Sequence, residues 1–164
     1  MTKLGGNTQL GGLDAFDCRI LECVQRDNQM SHNAIGEAVG LSASAVRKRL
    51  AALRKSGVII ADVALVKDDP SYIHILVTLT LEQVTSEAHE AITALIDQTD
   101  EIVEAFHIAG REDFILIMRC PSLAWYENWS MKAFVSNPVV GAFDSRVAWS
   151  RMKYSTSVVM SGER

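Results

Sequence analysis

The stretch that begins at Ser42 constrains the fold more than any other part of the chain, because it predicts an amphipathic helix with both ends marked. Ser42 is a good N-cap, since its hydroxyl can accept a hydrogen bond from a backbone N–H of the first turn. Gly57 stands where a helix ends in a left-handed residue. Val46, Leu50 and Leu53 follow the spacing i, i+4, i+7 and form one apolar stripe. The helix therefore has one face to bury and one to expose.

The exposed face of this helix is basic. Ser44, Lys48, Ala51 and Lys55 point away from the apolar stripe at about 100° per residue, with Arg47 on the flank. The helix carries five cations and no acid. The alternative interpretation of such a run is a solvated surface helix with no ligand.

A shorter helix precedes this one, and a tight turn joins the two. Ser31 caps a predicted helix over 32–39, Gly40 ends it, and Leu41 anchors the turn. Two short helices joined through a glycine-containing turn are typical of a helix-turn-helix. An earlier helix over 14–26 has an apolar face that can pack beneath them, and the residues after Gly57 predict the start of a wing.

Charge is distributed unevenly along the chain. The net charge is −4, but residues 1–66 carry eight Lys and Arg against six Asp and Glu, while residues 67–164 carry eight against fourteen. A locally basic helix on an acidic chain predicts DNA affinity that is focused on that helix. We expect Lys48 and Ser44 to face the major groove. The predicted DNA-binding residues are Ser31, Ser42, Ser44, Ala45, Arg47, Lys48, Arg49, Arg54 and Lys55.

The second half of the chain changes from helical periodicity to alternation. Its pattern predicts strands over 73–81, 102–109, 114–120 and 145–152, and helices over 87–98 and 121–135. This β-α-β-β-α-β order is the ferredoxin-like arrangement. The predicted fold class is therefore α+β, with an N-terminal winged helix-turn-helix and a C-terminal ferredoxin-like domain.

The strand over Phe114–Met118 is apolar on both faces. Helices can cover only one face of a four-stranded sheet, so the other face needs a second partner. We therefore expect a homodimer formed through this sheet. A short strand buried inside a larger monomer is the alternative, but little chain remains to cover it.

Five segments are predicted along the chain. They are a disordered tail over 1–12, the winged helix-turn-helix over 13–60, a linking strand and linker over 61–71, the ferredoxin-like domain over 72–155, and a tail over 156–164. No run reaches the ~18 apolar residues of a membrane span. The N-terminus lacks a signal-peptide core, and the three cysteines show no metal-type spacing. A cytoplasmic protein without membrane contact is predicted.

Catalytic signals are weak. The sequence has no P-loop, dinucleotide fingerprint, zinc-protease motif or serine-elbow motif. His74 and His107 lie on strands predicted to be neighbours and could meet, but core or interface histidines are expected more often than a metal pair. Trp125, Tyr126 and Trp129 form one helical stripe that indicates packing or an interface. We expect no enzyme activity, no cofactor and no metal.

The chain from about Leu13 to Ser155 resembles the leucine-responsive regulatory protein/AsnC family. The most specific matches are Leu41-Ser42 leading into Val46–Leu50, the run Gly57-Val58-Ile59, and Gly110 with Asp113-Phe114, which resembles the family's Gly-x-x-Asp-aromatic turn. The resemblance implies a transcription regulator of amino-acid metabolism that binds double-stranded DNA. It also implies dimers that assemble further, often to octamers, with small effectors, commonly amino acids, bound between dimers.

The resemblance also implies an effector site. Asp113 could accept the α-ammonium of an amino acid, or it could instead be a hairpin aspartate that bonds backbone. A final-strand hydroxyl of the family is kept at Ser145, while Val147 replaces the second, and the family's Pro-Gly-Val is Pro138-Val139-Val140 here. The implied effector residues are Ala109, Gly110, Arg111, Glu112, Asp113, Phe114, Ser145 and Val147.

Two other functions compete with an effector-modulated regulator. Some proteins that resemble this family decarboxylate sirohaem-type tetrapyrroles through histidine and arginine in the C-terminal domain. The intact basic helix argues against that function here. An amino-acid sensor that acts through protein partners, without DNA, is the other alternative.

Overall fold

The computed structural model describes residues 12–67 and 69–160. The chain divides into two compact units: one contains the residues up to Leu65 together with those from Tyr154 onward, and the other contains Val66–Lys153. The first unit holds three helices, α1 (Ala15–Arg26), α2 (His32–Val39) and α3 (Ala43–Lys55). The second holds β1 (Ile73–Leu81), α4 (Ser86–Gln98), β2 (Ile102–His107), β3 (Phe114–Cys120), α5 (Leu123–Ser130), a π-helical turn (Met131–Val135) and β4 (Val140–Ala148).

The helix ends in the first unit lie where the capping signals predicted them. The Ser31 hydroxyl accepts from the Ala34 N–H at the start of α2, and the Ser42 hydroxyl accepts from the Ala45 N–H at the start of α3. Gly57 follows α3 with φ of 77°, as the left-handed ending predicted. The helix-turn-helix is therefore confirmed. Its core contains Ile20, Leu21, Ile35, Val39, Val46, Leu50 and Leu53.

The turn between α2 and α3 depends on two glycines. Gly40 has φ of 78°, a left-handed conformation that a residue with a Cβ adopts only with strain. A Cβ on Gly36 would lie 2.4 Å from the Leu41 carbonyl oxygen, so α2 and the turn meet too closely for any side chain there. The sequence analysis used Gly40 and missed Gly36, because only the path of the turn brings the Leu41 carbonyl over α2.

The second unit is the predicted β-α-β-β-α-β domain. Its four antiparallel strands lie in the order β2-β3-β1-β4. One face of the sheet forms a core with α4, α5 and the π-helical turn. The largest buried side chains of this core are Phe134, Ile75, Leu79, Ile92, Leu116 and Met118.

Strand β3 has apolar residues on both faces, as predicted. Leu116 and Met118 are fully buried beneath the helices, whereas Ile115 and Ile117 lie on the other face and are half-buried. On that face Ile117 pairs with Leu76, which remains 41% exposed. An apolar strip therefore lies along the side of the sheet that the helices do not cover.

Two predicted boundaries in the second unit are wrong. β4 spans Val140–Ala148 rather than 145–152, because its first half pairs with the end of β1, where Thr80 lies opposite Ala142. β2 ends at His107 instead of residue 109, because the chain then enters the hairpin. Gly141 makes the early start of β4 possible, since a Cβ there would lie 3.0 Å from the Glu82 backbone.

The predicted linking strand over 59–66 and the predicted wing are not strands in the described chain. The N–H groups of Val58 and Ile59 instead donate to the Leu53 carbonyl and close the end of α3. Beyond them no described strand pairs with the segment, and Val63 and Val66 are exposed. A β-strand needs a neighbour for its backbone hydrogen bonds, and the single chain supplies none here.

Candidate DNA-binding surface and effector hairpin

The outward face of α3, formed by Ser44, Lys48, Ala51 and Lys55, is exposed along its whole length. Arg47 on its flank is exposed as well. Across residues 12–67 and 69–160, no carboxylate forms an ion pair with Arg47, Lys48 or Lys55. These three cations are therefore available to an external anion.

The serines predicted to bind DNA are used for capping within the chain. Ser31 and Ser42 each accept a backbone N–H at a helix start. The hydroxyls of Ser42 and Ser44 lie 3.0 Å apart and share a hydrogen bond. Ala45, one residue further on, is half-buried. These residues shape the first turn of α3, and the structure places them together at its N-terminal end.

The other two cations of α3 have carboxylate partners. Arg49 Nη1 donates to Asp14 Oδ2 and to Asp17 Oδ1, each at 2.7 Å. Arg54 donates through Nε and Nη2 to the two oxygens of Asp62, at 3.0 and 3.2 Å. These hydrogen bonds raise the pKa of both guanidinium groups. The predicted set of five equivalent cations thus divides into three that are unpaired and two that are neutralised locally.

The effector hairpin, residues 108–113, is joined to β1 through Asp113. The Asp113 N–H donates to the Leu79 carbonyl at 2.8 Å, and Asp113 Oδ2 accepts from the Leu81 N–H at 2.7 Å. The Ile108 N–H donates to the Asp113 carbonyl and closes the hairpin. The carboxylate therefore bonds backbone, as one sequence interpretation held, but the backbone is that of β1 rather than its own turn. Its second oxygen, Oδ1, accepts no hydrogen bond from the described residues.

Gly110 has no structural need to be glycine. Its φ is not positive, and a Cβ there would meet nothing within 4 Å. Ala109 and Arg111 beside it are exposed, Glu112 is half-buried, and Phe114 after the turn is buried. The backbone around Gly110 is therefore open to approach from outside.

Ser145 and Val147 are not brought to the hairpin by a single chain. They lie on β4, opposite Val77 and Ile75, whereas the hairpin joins β2 to β3. Ser145 shares a short hydrogen bond with the Tyr126 hydroxyl, whose pKa is raised by burial. A site that combines these residues with the hairpin therefore needs a second copy of the chain.

The suggested meeting of His74 and His107 is wrong. Strand β3 lies between β1 and β2, so the two histidines are not on neighbouring strands. The His107 ring instead lies 4.6 Å from that of His89 on α4 and packs against Phe114. No group of three or more metal-ligating side chains occurs among the residues that the structure describes.

The carboxylates that hold Arg49 were missed by the sequence analysis. Asp14 and Asp17 form a capping box at the start of α1, in which each side chain accepts a backbone N–H of the other end of the box. That pattern of acids at N-cap and N3 is readable from sequence. Their pairing with α3 is not readable, because it spans more than thirty residues and depends on how the helices pack.

Comparison with known proteins agrees with this arrangement. An AsnC-type helix-turn-helix domain matches residues 13–54, and an Lrp/AsnC ligand binding domain matches residues 74–158. The chain belongs to the Lrp/AsnC family of transcriptional regulators, and the resemblance seen in the sequence is confirmed.

Individual relatives match over most of the chain. An uncharacterised HTH-type transcriptional regulator, y4tD, of Sinorhizobium fredii is 30% identical over 148 residues, which cover 89% of this chain and 88% of that protein. The DNA-binding transcriptional activator DecR of Escherichia coli K12 is 27% identical, with 89% and 97% covered. The structure of the transcriptional regulator NMB0573 of Neisseria meningitidis, in complex with L-Met, has a TM-score of 0.81 at 21% identity and covers 89% of this chain and 96% of that chain.

None of the described helices combines the length and the apolar character that a membrane crossing requires.

Proposed function

We propose that the chain is a sequence-specific, effector-modulated regulator of transcription that contacts DNA through the outward face of α3 and acts in the cytoplasm on genes of amino-acid metabolism. The observation that carries the proposal is the unpaired state of Arg47, Lys48 and Lys55 on an exposed helix face that also bears two small residues. Cations without internal partners release counterions when they neutralise phosphates, and this release drives DNA binding. Small side chains at Ser44 and Ala51 let the groove wall approach the helix.

Substitution of the two outermost lysines tests this surface. We expect Lys48→Ala with Lys55→Ala to weaken binding to the DNA upstream of the gene that encodes this chain. We also expect the slope of log affinity against log salt to fall by about 2, one for each lost phosphate contact. Fluorescence anisotropy at several salt concentrations measures both quantities.

The matched control is Lys132→Ala with Lys153→Ala, which removes two exposed lysines outside α3. This pair should leave the salt slope unchanged. Unaltered DNA binding by the Lys48/Lys55 variant would show that α3 is not the DNA-binding element.

The proposed effector is a free amino acid or a related zwitterion held at the hairpin. Such a molecule brings one cation and one anion, so its site needs a carboxylate and N–H donors. Asp113 Oδ1 can accept the ammonium group while Oδ2 stays on Leu81, and the open backbone at Ala109 and Gly110 can reach the carboxylate. The structurally similar Neisseria protein was solved with L-Met, which supports this class of ligand.

Asp113→Asn separates the charge from the fold in this site. An asparagine oxygen can still accept the Leu81 N–H, so the hairpin keeps its joint to β1 while the negative charge is lost. Titration calorimetry with the twenty amino acids should find a ligand for the wild type that the variant binds weakly. Glu112→Gln, beside it in the hairpin, is the control. Equal binding by wild type and Asp113→Asn would remove Asp113 from the site.

The proposed assembly is a homodimer, or a higher oligomer such as an octamer, formed through the uncovered sheet face. The apolar strip of Leu76, Ile115 and Ile117 on that face supports it. Because Ser145 cannot reach the hairpin of its own chain, it would join the effector site only from a second copy. Light scattering at micromolar concentration should find no monomer, and a stable monomer would contradict the pairing.

A further inference from the structure

We propose that Arg49 is a positioning residue of the DNA-binding helix, fixed by Asp14 and Asp17 so that it orients α3 against α1 and does not contact phosphate. The inference rests on the proposed role of α3 in DNA binding and assigns Arg49 a role opposite to that of its neighbour Lys48.

The geometry directs the Arg49 side chain to α1 rather than to solvent. One nitrogen, Nη1, lies 2.7 Å from an oxygen of each carboxylate, and Cζ lies 5.5 Å from the centroid of the Phe16 ring. The side chain is 32% exposed, and its nearer partner Asp17 is 16% exposed. Arg49 follows Lys48 by one residue, which turns it by about 100° away from the outward face.

The two carboxylates are themselves fixed. Asp14 Oδ1 accepts the N–H groups of Phe16 and Asp17, each at 2.8 Å, while Asp14 Oδ2 is left to Arg49. Asp17 Oδ2 accepts the Asp14 N–H at 3.3 Å, while its Oδ1 is left to Arg49. Each acid therefore uses one oxygen to cap α1 and the other to hold α3. The N-terminus of α1 and the middle of α3 are thereby tied into one hydrogen-bonded network.

Transfer of Arg49 to a phosphate would break this network. Two charge-assisted hydrogen bonds would be lost in exchange for contacts to one external anion, and the acids would be left facing α3 without a cation. The Asp17 N–H and then Arg49 lower the pKa of Asp14, which agrees with carboxylates that remain ionised around the guanidinium. The same acids also screen the charge of Arg49 from DNA.

Replacement of both acids distinguishes the two roles by sign. In Asp14→Asn with Asp17→Asn the capping oxygens of α1 are kept, because asparagine is also a good N-cap, but the ionic hold on Arg49 is lost. A positioning role predicts that DNA affinity falls about tenfold, although the protein has become less acidic by two charges, and that the salt slope is unchanged. A phosphate contact predicts the reverse, a rise in affinity as Arg49 is released.

The control variant is Glu22→Gln with Glu37→Gln, which removes two exposed acids from the same unit and reports the general effect of charge. Affinities are compared at a temperature at which circular dichroism shows every variant folded, so that a loss of stability alone does not register. Arg49→Lys should reproduce most of the loss, since one ammonium lacks the planar fork of arginine. An affinity of the Asp14/Asp17 variant equal to or above that of the control would overturn the inference. A wild type that binds no DNA would instead count against the proposed function.

Discussion

The molecule has two glycine-containing turns beside proposed binding elements, and the two glycines are explained in different ways. In the helix-turn-helix, Gly36 is required because the Leu41 carbonyl leaves no room for a Cβ, and Gly40 because its φ is 78°. In the effector hairpin, Gly110 has free space around it and no left-handed φ. Contacts inside the chain therefore determine the first turn. In the second turn they leave glycine unexplained, which leaves room for a ligand.

The largest expected effect comes from Gly36→Ala. A Cβ 2.4 Å from a backbone oxygen forces α2 and the turn apart, and we expect a loss of about 3 kcal/mol in the free energy of unfolding of the first unit. Chemical denaturation followed by circular dichroism measures it. Glu37→Ala, an exposed change to the same residue one position later, should have almost no effect. A stable Gly36→Ala variant would mean that the turn can relax and that its glycine is not required.

Gly40→Ala should have a smaller effect. A Cβ at this position would meet nothing within 4 Å, so only the left-handed backbone opposes it, at a cost of about 1 kcal/mol. Gly40→Asn should recover part of that loss, because asparagine tolerates this conformation better than alanine. Thermal unfolding of the three proteins under one condition tests the order. If asparagine were no better than alanine, φ would not be the cause.

Gly110→Ala should have the smallest effect on stability. Because neither space nor backbone conformation opposes a Cβ there, the change in the free energy of unfolding should stay within about 0.5 kcal/mol, as for other surface positions. A clear destabilisation, measured as for Gly36→Ala, would show that the fold needs this glycine after all. It would then remove the contrast between the two turns.

The same difference explains how much of the molecule could be predicted from its sequence. The three helices of the first unit were predicted to within about one residue, because caps, glycines and an apolar stripe are all local signals. The early start of β4 was missed, since the pairing of Ala142 with Thr80 joins segments far apart in the chain. The bond from Asp113 to Leu81 and the pairing of Arg49 with Asp17 were missed for the same reason.

The effector site was the least predictable part, because it is incomplete in one chain. Sequence resemblance indicated both the hairpin and Ser145, and the structure places them apart, with β3 and β1 between them. The segment over 59–66 behaves similarly: its alternation predicted a strand, yet a strand forms only where a neighbour accepts its hydrogen bonds. Elements that require a second copy cannot be completed from the periodicity of one chain.

The most direct test of the account is the effect of an amino acid on DNA affinity in wild type and in Gly110→Ala. The probe is whichever of the twenty amino acids gives heat with the wild type in calorimetry, and the DNA is the segment upstream of the gene. We predict that this amino acid changes the DNA affinity of the wild type by at least about fivefold, the lower end of typical allosteric coupling. Gly110→Ala should bind DNA as the wild type does without effector and should lose the change. An identical change in both proteins, or none in the wild type with any amino acid, would contradict the account.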